Sequence, residues 1–328
     1  MAFSHTFVVP SHNQAKFLPA TIDALLAQEE PSQIIISEDF STDESPAIAR
    51  AYADKHPDRI RLTQPPEHRG MFPNWNWGVG LVRTEWVTIM GADDVALPHF
   101  SRVIREGAAK SANAVVVCAN WDFIDGEDKF LSSEKVLTLA EVTRPPDTFY
   151  QLLPANKIHP AAHAFRHDAW KKVGGFPEKL AFYGDWAFWV SLSPHGDIVH
   201  QRETIARYRV AYRPGIVSQR MHQQFADEVL MQTDLIPSVA RQIRNVRRDR
   251  LQAAGRRRLR HSLHHITKDA PPEERPGIAR IVEPWARTLG PQAEALVRRF
   301  ERGEEIPLEW FETWVRQPAR RVYKALLR

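Results

Sequence analysis

The stretch Val87–Pro98, VTIMGADDVALP, places two adjacent aspartates, Asp93 and Asp94, directly after an apolar run that predicts a buried β-strand. Two neighbouring carboxylates repel each other, which raises the cost of keeping both ionised. A bound cation would offset that repulsion. The alternative is that the pair begins a turn or caps a helix starting near Pro98, because aspartate often has these roles. The rest of the chain must decide between the two.

The first half of the chain alternates short β-type runs with helical patterns. Strands are predicted at HTFVVP, SQIIISED, IRLTQ and EWVTIMG, with amphipathic helices between them. This alternation favours an α/β fold with a mostly parallel sheet covered by helices on both faces. Ligands bind such sheets beyond the carboxyl ends of the strands. The chain places polar residues at three of these ends: Pro10–Asn13, Glu38 with Asp39, and Asp93 with Asp94.

Length and composition exclude several other classes of protein. The 328 residues suffice for one large or two ordinary domains, and the 43% hydrophobic content is that of a globular protein. The single cysteine, Cys118, rules out an intrachain disulfide and allows a reducing compartment. We see no secretory signal and no apolar run of membrane-spanning length, so we expect a cytoplasmic protein. The phosphate-binding motifs of P-loop and nicotinamide enzymes are also missing from the sequence.

An ordered series of motifs in the first two thirds resembles the family 2 inverting glycosyltransferases with the GT-A fold. The motifs lie between about Thr6 and Arg209 and read VVPSHN, FLPATIDALLAQ, IIISEDFSTDES, HRGMFPNWNWGVG, WVTIMGADDVALP, FRHDAWKKVGGFPEKL and YGDWAFWVSL. The resemblance implies a Rossmann-like, mostly parallel sheet flanked by helices. It also implies a catalytic domain at residues 1–213, with a nucleotide-sugar half at about 1–100 and an acceptor half at about 101–213.

The resemblance assigns Asp94 to a Mn²⁺ or Mg²⁺ ion and Asp93 to the ribose hydroxyls of a nucleotide sugar. The leaving diphosphate gains charge as the glycosidic bond breaks, and a cation held by carboxylate oxygen stabilises that charge. The chain departs from the family at Gly91, where a further aspartate is common. It also lacks the metal-binding histidine expected after Tyr208-Arg209. His222 lies farther along and would replace that histidine only if the chain folds back.

Four further residues are assigned to the nucleotide sugar. Pro10 and Asn13 resemble the first nucleotide loop of the family. Asp39 ends the second strand and can accept the imide N–H of uracil or thymine; the alternative is a helix N-cap. Phe40 follows it, where the family commonly has glycine. Arg69 is assigned to the base or the diphosphate through its planar guanidinium, with a solvated surface arginine as the alternative.

Attack by an acceptor hydroxyl on the anomeric carbon requires a base, and the resemblance assigns that role to Asp185 in YGDWAFW. The alternative is a helix N-cap, a role that the same carboxylate can combine with catalysis. Gly184 stands before it, where the family commonly has glutamate. Trp186 is predicted to bind the acceptor as a sugar platform, with a place in the core as the alternative. Gly175 is expected to permit close backbone approach in the acceptor loop.

The last third, residues 214–328, is predicted to be helical and basic. Arginines crowd residues 241–260, and residues 310–328 mix aromatic side chains with further arginines. One interpretation is a solvated helical face packed on the catalytic domain. The other is peripheral attachment to the anionic inner face of the cell membrane, which would suit a lipid-linked acceptor. The sequence disfavours nucleic acid as a partner, because no aromatic-interleaved RNA-binding motif accompanies the arginines.

Together these features predict a metal-dependent inverting glycosyltransferase. It would move a sugar from a uridine or thymidine diphosphate donor to a hydroxyl of a glycan, glycolipid or lipid-linked acceptor in polysaccharide or lipopolysaccharide biosynthesis. One alternative is a degenerate member that binds the nucleotide sugar without transfer, as the changes at Gly91 and Gly184 would allow. Another is a non-catalytic module that binds an anionic surface or partner. The sequence makes no prediction of oligomeric state.

Overall fold

The computed structural model describes residues 3–134, 139–210, 217–267 and 270–308; residues 217–221 are described by their backbone alone. The chain divides into two compact units. The first comprises Met1–Arg144, Lys157–Glu178 and His195–Ala211, and the second comprises Pro145–Asn156, Lys179–Pro194 and Tyr212–Arg328. The predicted domain boundary at residue 213 stays a prediction.

The first unit is built on one ten-stranded sheet. Its strands are β1 (His5–Ser11), β2 (Gln33–Glu38), β3 (Ile60–Thr63), β4 (Trp86–Ile89), β5 (Val95–Ala96), β6 (Ala114–Ile124), β7 (Phe130–Glu134), β8 (Val142–Thr143), β9 (His163–Arg166) and β10 (Asp197–Arg209). The main path runs β3-β2-β1-β4-β9-β6-β10-β5, with β7 beside β6 and β8 beside β10.

Parallel pairing joins β3, β2, β1 and β4 on one side of the sheet and β6 with β10 on the other. Antiparallel β9 lies between the two sets, and β5, β7 and β8 add antiparallel pairs at the second set. The predicted mostly parallel α/β sheet of the GT-A type is therefore confirmed, with antiparallel additions.

The described helices are α1 (Leu18–Leu26), α2 (Ser45–Lys55), α3 (Met71–Gly80), α4 (Phe100–Ala109), α5 (Asp147–Leu152), α6 (His167–Val173), α7 (Gly184–Leu192), α8 (Val217–Leu230), α9 (Ile236–Ala240), α10 (Arg248–Thr267), α11 (Arg275–Leu289) and α12 (Pro291–Glu301). A π-helical turn, Met231–Leu235, connects α8 with α9. None of the helices in the described ranges combines the length and the apolar content that a membrane span requires.

The central strands form because their side chains are apolar on both faces. Phe7, Val8 and Val9 of β1 are fully buried, as is Ile36 of β2, the pattern expected of parallel strands covered on both sides. Helix α3 packs closely on β1: a Cβ at Gly78 would lie 2.5 Å from Val8 Cγ1. Glycine therefore sets the distance between helix and strand here.

The helices of the second unit have a core of their own. Buried apolar residues recur at helical spacing along α10, α11 and α12, which explains why these segments fold as helices packed on one another. Members of this core include Phe225, Leu259, Leu263, Ile278, Trp285 and Phe300. The predicted helical character of the C-terminal region is confirmed for the described residues. The aromatic and basic segment at 310–328 lies outside them.

Candidate functional site

Asp93 and Asp94 lie in the turn that leaves the carboxyl end of β4. The backbone N–H of Asp94 donates to the carbonyl of Gly91 at 3.1 Å, so the turn alternative is correct for the backbone. The N-cap residue of α4 is His99, so the pair does not cap that helix. Asp94 is 3% exposed. Its Oδ1 accepts the backbone N–H of Arg209, on β10, at 3.0 Å.

The electrostatics of Asp94 favour a cation. Burial, and then the charge of Asp93, raise the pKa of Asp94 well above its usual value, while the N–H and the charge of Arg209 oppose that rise. Burial costs little free energy while the Asp94 carboxyl is uncharged. The ionised carboxylate is costly to bury unless a positive charge lies beside it. The carboxyl groups supply only oxygen, the donor that Mg²⁺ and Mn²⁺ prefer. The pair therefore suits a hard divalent cation.

Gly91 makes the arrangement of the two carboxylates possible. A Cβ at this position would lie 2.6 Å from Asp94 Oδ2 and 2.9 Å from Asp93 Oδ1. Both carboxylates thus occupy the space that a side chain at residue 91 would need. Glycine at residue 91, where the family commonly has aspartate, therefore leaves room for the carboxylates of Asp93 and Asp94, and both aspartates are retained.

Arg209 is a residue of this site that the sequence analysis missed. Its guanidinium donates to the carbonyl of Asp93 at 2.8 Å, to the carbonyl of Asp125 at 2.8 Å and to Asp128 Oδ1 at 2.6 Å. The same group lies 4.5 Å over the ring of Phe17, and its side chain is 1% exposed. Arg209 therefore fixes the backbone of one aspartate with its side chain and the carboxylate of the other with its N–H.

The loops after β1 and β2 meet through Asn13. This residue adopts a left-handed conformation, with φ of 54°, which asparagine tolerates better than most residues. Its backbone N–H donates to Ser41 Oγ at 2.9 Å, and its Oδ1 accepts the backbone N–H of Thr42 at 2.8 Å. Pro10 precedes the loop on β1, paired in register with Ser37 of β2. The predicted nucleotide-loop residues thus lie beside the end of β2.

Asp39 anchors the segment before α3. It is 1% exposed, and its two carboxylate oxygens accept the backbone N–H groups of Arg69 and Gly70, each at 2.8 Å. The alternative of a cap for α2 is wrong, because Asp43 accepts the N–H of Ser45 there. His68 Nδ1 also lies 3.1 Å from Asp39 Oδ2, so base recognition by Asp39 stays a prediction. The structure brings the backbone of Arg69 to Asp39, and the role of each residue in nucleotide binding stays a prediction.

The side chains around Asp39 are exposed and polar or aromatic. The guanidinium of Arg69 lies 5.6 Å over the ring of Trp77, and the residue is exposed. Phe40 has φ of 58° and is 40% exposed, so it occupies the left-handed conformation that glycine would adopt more easily.

A second group of potential metal ligands surrounds Asp39. Among the residues that the structure describes, His12, Asp39 and His68 each offer a ligand atom, and these atoms lie within 4.8 Å of one another. Both imidazoles use Nδ1 to contact the carbonyl of Asp39, at 2.8 Å and 3.0 Å. A donor set containing two imidazoles suits zinc better than magnesium. The all-oxygen pair at Asp94 fits the predicted Mn²⁺ or Mg²⁺ better.

In the second unit, Asp185 lies in the first turn of α7. It is 9% exposed. Its Oδ1 accepts the N–H of Trp186 at 2.7 Å, and its Oδ2 accepts the side-chain amide of Asn156 at 2.8 Å. Burial raises the pKa of Asp185 to about 6, and these two hydrogen bonds limit the rise. The N-cap residue of α7 is Tyr183, so the N-cap alternative is wrong. A carboxyl group with this pKa is suited to take up a proton near neutral pH.

The residues predicted to bind the acceptor have different surroundings. Trp186 is 1% exposed, and its indole N–H donates to the carbonyl of Leu152 at 2.7 Å. It belongs to the core, and the predicted sugar platform is corrected on this ground, because stacking requires an open ring face. Gly175 has φ of 85°, and a Cβ there would lie 2.6 Å from Asn76 Oδ1. The expected close approach is therefore made to Asn76, and acceptor binding by Gly175 stays a prediction.

His222 belongs to the second unit. Its Nε2 lies 4.0 Å from Glu274 Oε2, and the two side chains are 44% and 25% exposed. Its ring also faces Gly277, where a Cβ would lie 3.7 Å from Nε2. The role of His222 as a metal ligand stays a prediction.

Comparison with known proteins identifies the family. Residues 6–174, just over half of the chain, match the sequence profile described as Glycosyl transferase family 2. The chain therefore belongs to this family of glycosyltransferases. The succinoglycan biosynthesis protein ExoO of Rhizobium meliloti (strain 1021) is 29% identical over 162 residues, which are 49% of this chain and 44% of that protein. An uncharacterized glycosyltransferase of Nostoc, alr2836, is 26% identical over 62% of this chain and 63% of its own length. The chain thus spans less than two thirds of these relatives.

Solved structures show the same fold. S. aureus TarS 1-349, in complex with UDP-GlcNAc, superposes with a TM-score of 0.70 at 14% identity, over 92% of this chain and 88% of that one. The mannosyltransferase PcManGT from Pyrobaculum calidifontis, in complex with GDP-Man and Mn²⁺, gives a TM-score of 0.53 at 18% identity, over 98% and 86%. Both structural neighbours carry nucleotide sugars, and the likeness establishes the GT-A fold of this chain.

Proposed function

We propose that this glycosyltransferase moves a sugar from a uridine or thymidine diphosphate donor to an acceptor hydroxyl, with a divalent cation and with inversion at the anomeric carbon. The observation that carries the proposal is the buried Asp94 beside Asp93 at the carboxyl end of β4. Keeping a buried carboxylate ionised beside a second negative charge is costly, and a bound cation would offset that cost. Both carboxylates offer the oxygen ligands that Mn²⁺ and Mg²⁺ bind. The Mn²⁺ bound to the structural neighbour PcManGT supports the same assignment.

Asp94 would hold the Mn²⁺ or Mg²⁺ ion, and Asp93 would hold the ribose hydroxyls. When bound, the cation supplies charge compensation for the leaving diphosphate. These ions commonly bind through one or two carboxylates, with the remaining positions filled by water and substrate phosphate oxygens. Arg209 would keep both aspartates in place through its contacts with the carbonyl of Asp93 and the carboxylate of Asp94.

Recognition of the nucleotide would use the neighbouring strand ends. Asp39 would accept the imide N–H of uracil or thymine at Oδ1, where the N–H of Arg69 uses one of two acceptor positions. The Arg69 guanidinium, exposed above Trp77, would contact the base or the diphosphate. Pro10 and Asn13 would form the wall of the nucleotide loop.

In the chemical step, Asp185 would accept the proton of the acceptor hydroxyl. The hydroxyl oxygen attacks the anomeric carbon as the bond to the diphosphate breaks, so one displacement inverts the configuration. With its pKa at about 6, Asp185 is largely ionised at neutral pH and still basic enough to take a proton. Asn156 would hold the carboxylate in orientation through the bond to Oδ2.

The acceptor class and location complete the proposal. The relative ExoO is a succinoglycan biosynthesis protein, so we propose a glycan, glycolipid or lipid-linked acceptor. Six arginines on and before α10 have exposed side chains: Arg241, Arg244, Arg247, Arg248, Arg250 and Arg257. Such a basic surface would attract anionic lipid head groups, which supports peripheral attachment at the inner face of the membrane.

A panel of nucleotide sugars tests the proposed function. Each donor is incubated with Mn²⁺, with Mg²⁺ or with EDTA, and slow release of the nucleoside diphosphate is measured. We expect release from a uridine or thymidine donor that depends on the cation. Nucleotide affinity without release from any donor would favour a degenerate binding protein, and equal release in EDTA would contradict the metal requirement.

A further inference from the structure

The helical part of the second unit holds the segment that precedes Asp185. Asp227 of α8 is 5% exposed. Its Oδ2 accepts two consecutive backbone N–H groups, those of Phe182 at 2.5 Å and Tyr183 at 3.1 Å. Hydrogen bonds to an ionised carboxylate are shorter and stronger than neutral ones. Asp227 therefore fixes the backbone two and three residues before the candidate base.

A buried ion pair holds the other side of the same turn. Arg258 of α10 pairs with Glu228 of α8, and both side chains are nearly inaccessible, at 9% and 3% exposed. The guanidinium lies 4.8 Å over the ring of Trp186 and 5.8 Å over the ring of Tyr183. Ser262 donates to the Glu228 carboxylate. The residues on both sides of Asp185 thus contact one polar network from two C-terminal helices.

The chemistry of this network favours a role in positioning the first turn of α7. Burying an ion pair costs desolvation, and an apolar replacement of similar volume is often as stable. The pair is therefore poorly explained by stability alone. A displacement of about 1 Å at a reacting group can cost about 100-fold in rate, so a device that fixes the first turn of α7 has a direct consequence for a base carried on that turn.

We propose that Asp227, Glu228 and Arg258 are positioning residues for Asp185. Asp227 fixes the approach to α7, and the Arg258–Glu228 pair fixes the aromatic rings on either side of the aspartate. This inference rests on the proposed function, in which Asp185 is the base. It gives α8 and α10 a part in the transfer step that their sequences do not suggest.

The test compares substitutions by steady-state kinetics, once the wild-type protein shows donor-dependent transfer. Asp227→Ala should lower kcat by about 10- to 100-fold and leave the KM for the donor unchanged, because the proposed donor residues lie in the other unit. Asp227→Asn should restore most of kcat, because its amide oxygen can accept the same two N–H groups. Asp234→Ala is the matched control, since this aspartate is exposed on the adjoining π-helical turn.

A double variant covers the case in which Asp227→Ala does not fold, as judged by circular dichroism. Glu228→Gln with Arg258→Met removes both charges at similar volume, and it should also lower kcat at unchanged donor KM. A wild-type kcat in a folded Asp227→Ala protein, or in the double variant if the first does not fold, would overturn the inference. A loss in Asp227→Asn as large as in Asp227→Ala would do so too. Absence of transfer in the wild type would instead count against the proposed function.

Discussion

The backbone N–H of Arg209 donates to the carboxylate of Asp94 at 3.0 Å, although the two residues are 115 positions apart. The bond joins the end of β10 to the turn after β4. The Arg209 side chain makes a second connection, to the carbonyl of Asp93. One residue thus holds both members of the aspartate pair, and the candidate cation site depends on strands from distant parts of the chain.

Substitution of Arg209 should therefore disturb both the site and the fold. In Arg209→Ala, the carbonyls of Asp93 and Asp125 each lose a hydrogen bond from a charged group in a partly buried position, which should lower the free energy of unfolding by about 1–3 kcal/mol. Mn²⁺-dependent donor affinity should fall as well. Chemical denaturation and calorimetry measure the two effects. Arg207→Ala, at an exposed position on the same strand, is the control; equal effects of both substitutions would contradict the role of Arg209.

A side chain at residue 91 should displace the aspartate pair. In Gly91→Ala, the new Cβ would meet Asp94 Oδ2 at 2.6 Å, so the carboxylates must move. We expect Mn²⁺-dependent donor affinity to fall by at least tenfold, with donor binding in EDTA unchanged. Gly80→Ala, whose Cβ would have no heavy atom within 4 Å, should bind normally. Unchanged affinity in Gly91→Ala would show that the cation does not need this arrangement of the carboxylates.

Transfer should depend on the ionisation of Asp185. Because a base must be deprotonated to act, kcat should rise with pH through about 6, the pKa to which burial raises this group. Asn156→Ala removes a hydrogen bond that lowers this pKa, so the rising limb should move to higher pH. Asp185→Asn should keep donor affinity and lose transfer by about two to four orders of magnitude. If kcat of Asn156→Ala rises over the same pH range as that of the wild type, the pH dependence does not come from Asp185.

Attachment to an anionic membrane should depend on the arginines near the start of α10. The protein should sediment with anionic vesicles at low salt, detach at high salt and ignore neutral vesicles, because salt screens charge attraction. A variant with glutamine in place of the exposed residues Arg241, Arg244 and Arg248 should bind anionic vesicles less. The control carries the same change of charge at the exposed positions Arg280, Arg287 and Arg298. If both variants lose vesicle binding equally, attachment depends on the net charge of the protein and not on a defined surface near the start of α10.

The sequence predicts the parts of the fold that local pattern controls. The apolar runs of β1, β2 and β4 are buried strands, and the polar residues after them lie at one edge of the sheet, because parallel strands end on the same side. The motif around Asp94 was recognisable for the same reason, since its spacing follows a strand end. Antiparallel β9, inserted between β4 and β6, depends on long-range pairing that no local pattern specifies.

Contacts between distant segments explain what the sequence analysis missed. Arg209 was noted only as a landmark for an absent histidine, because its bond to Asp94 depends on the placement of β10. Asp227 lies on α8 and Arg258 among the many arginines of α10, and only the fold shows that both are buried. Trp186 could be a platform or a core residue by sequence, and its burial decides for the core.

The central claim is that Asp94 holds the cation through which the donor binds, and calorimetry of a uridine diphosphate sugar tests it most directly. Titrations compare Mn²⁺ with EDTA for the wild type, Asp94→Asn and the exposed control Asp54→Asn. The wild type and the control should bind the donor more tightly with Mn²⁺. Asp94→Asn should fold normally and show the same weak affinity with and without the ion. Wild-type affinity and metal dependence in Asp94→Asn would contradict the claim.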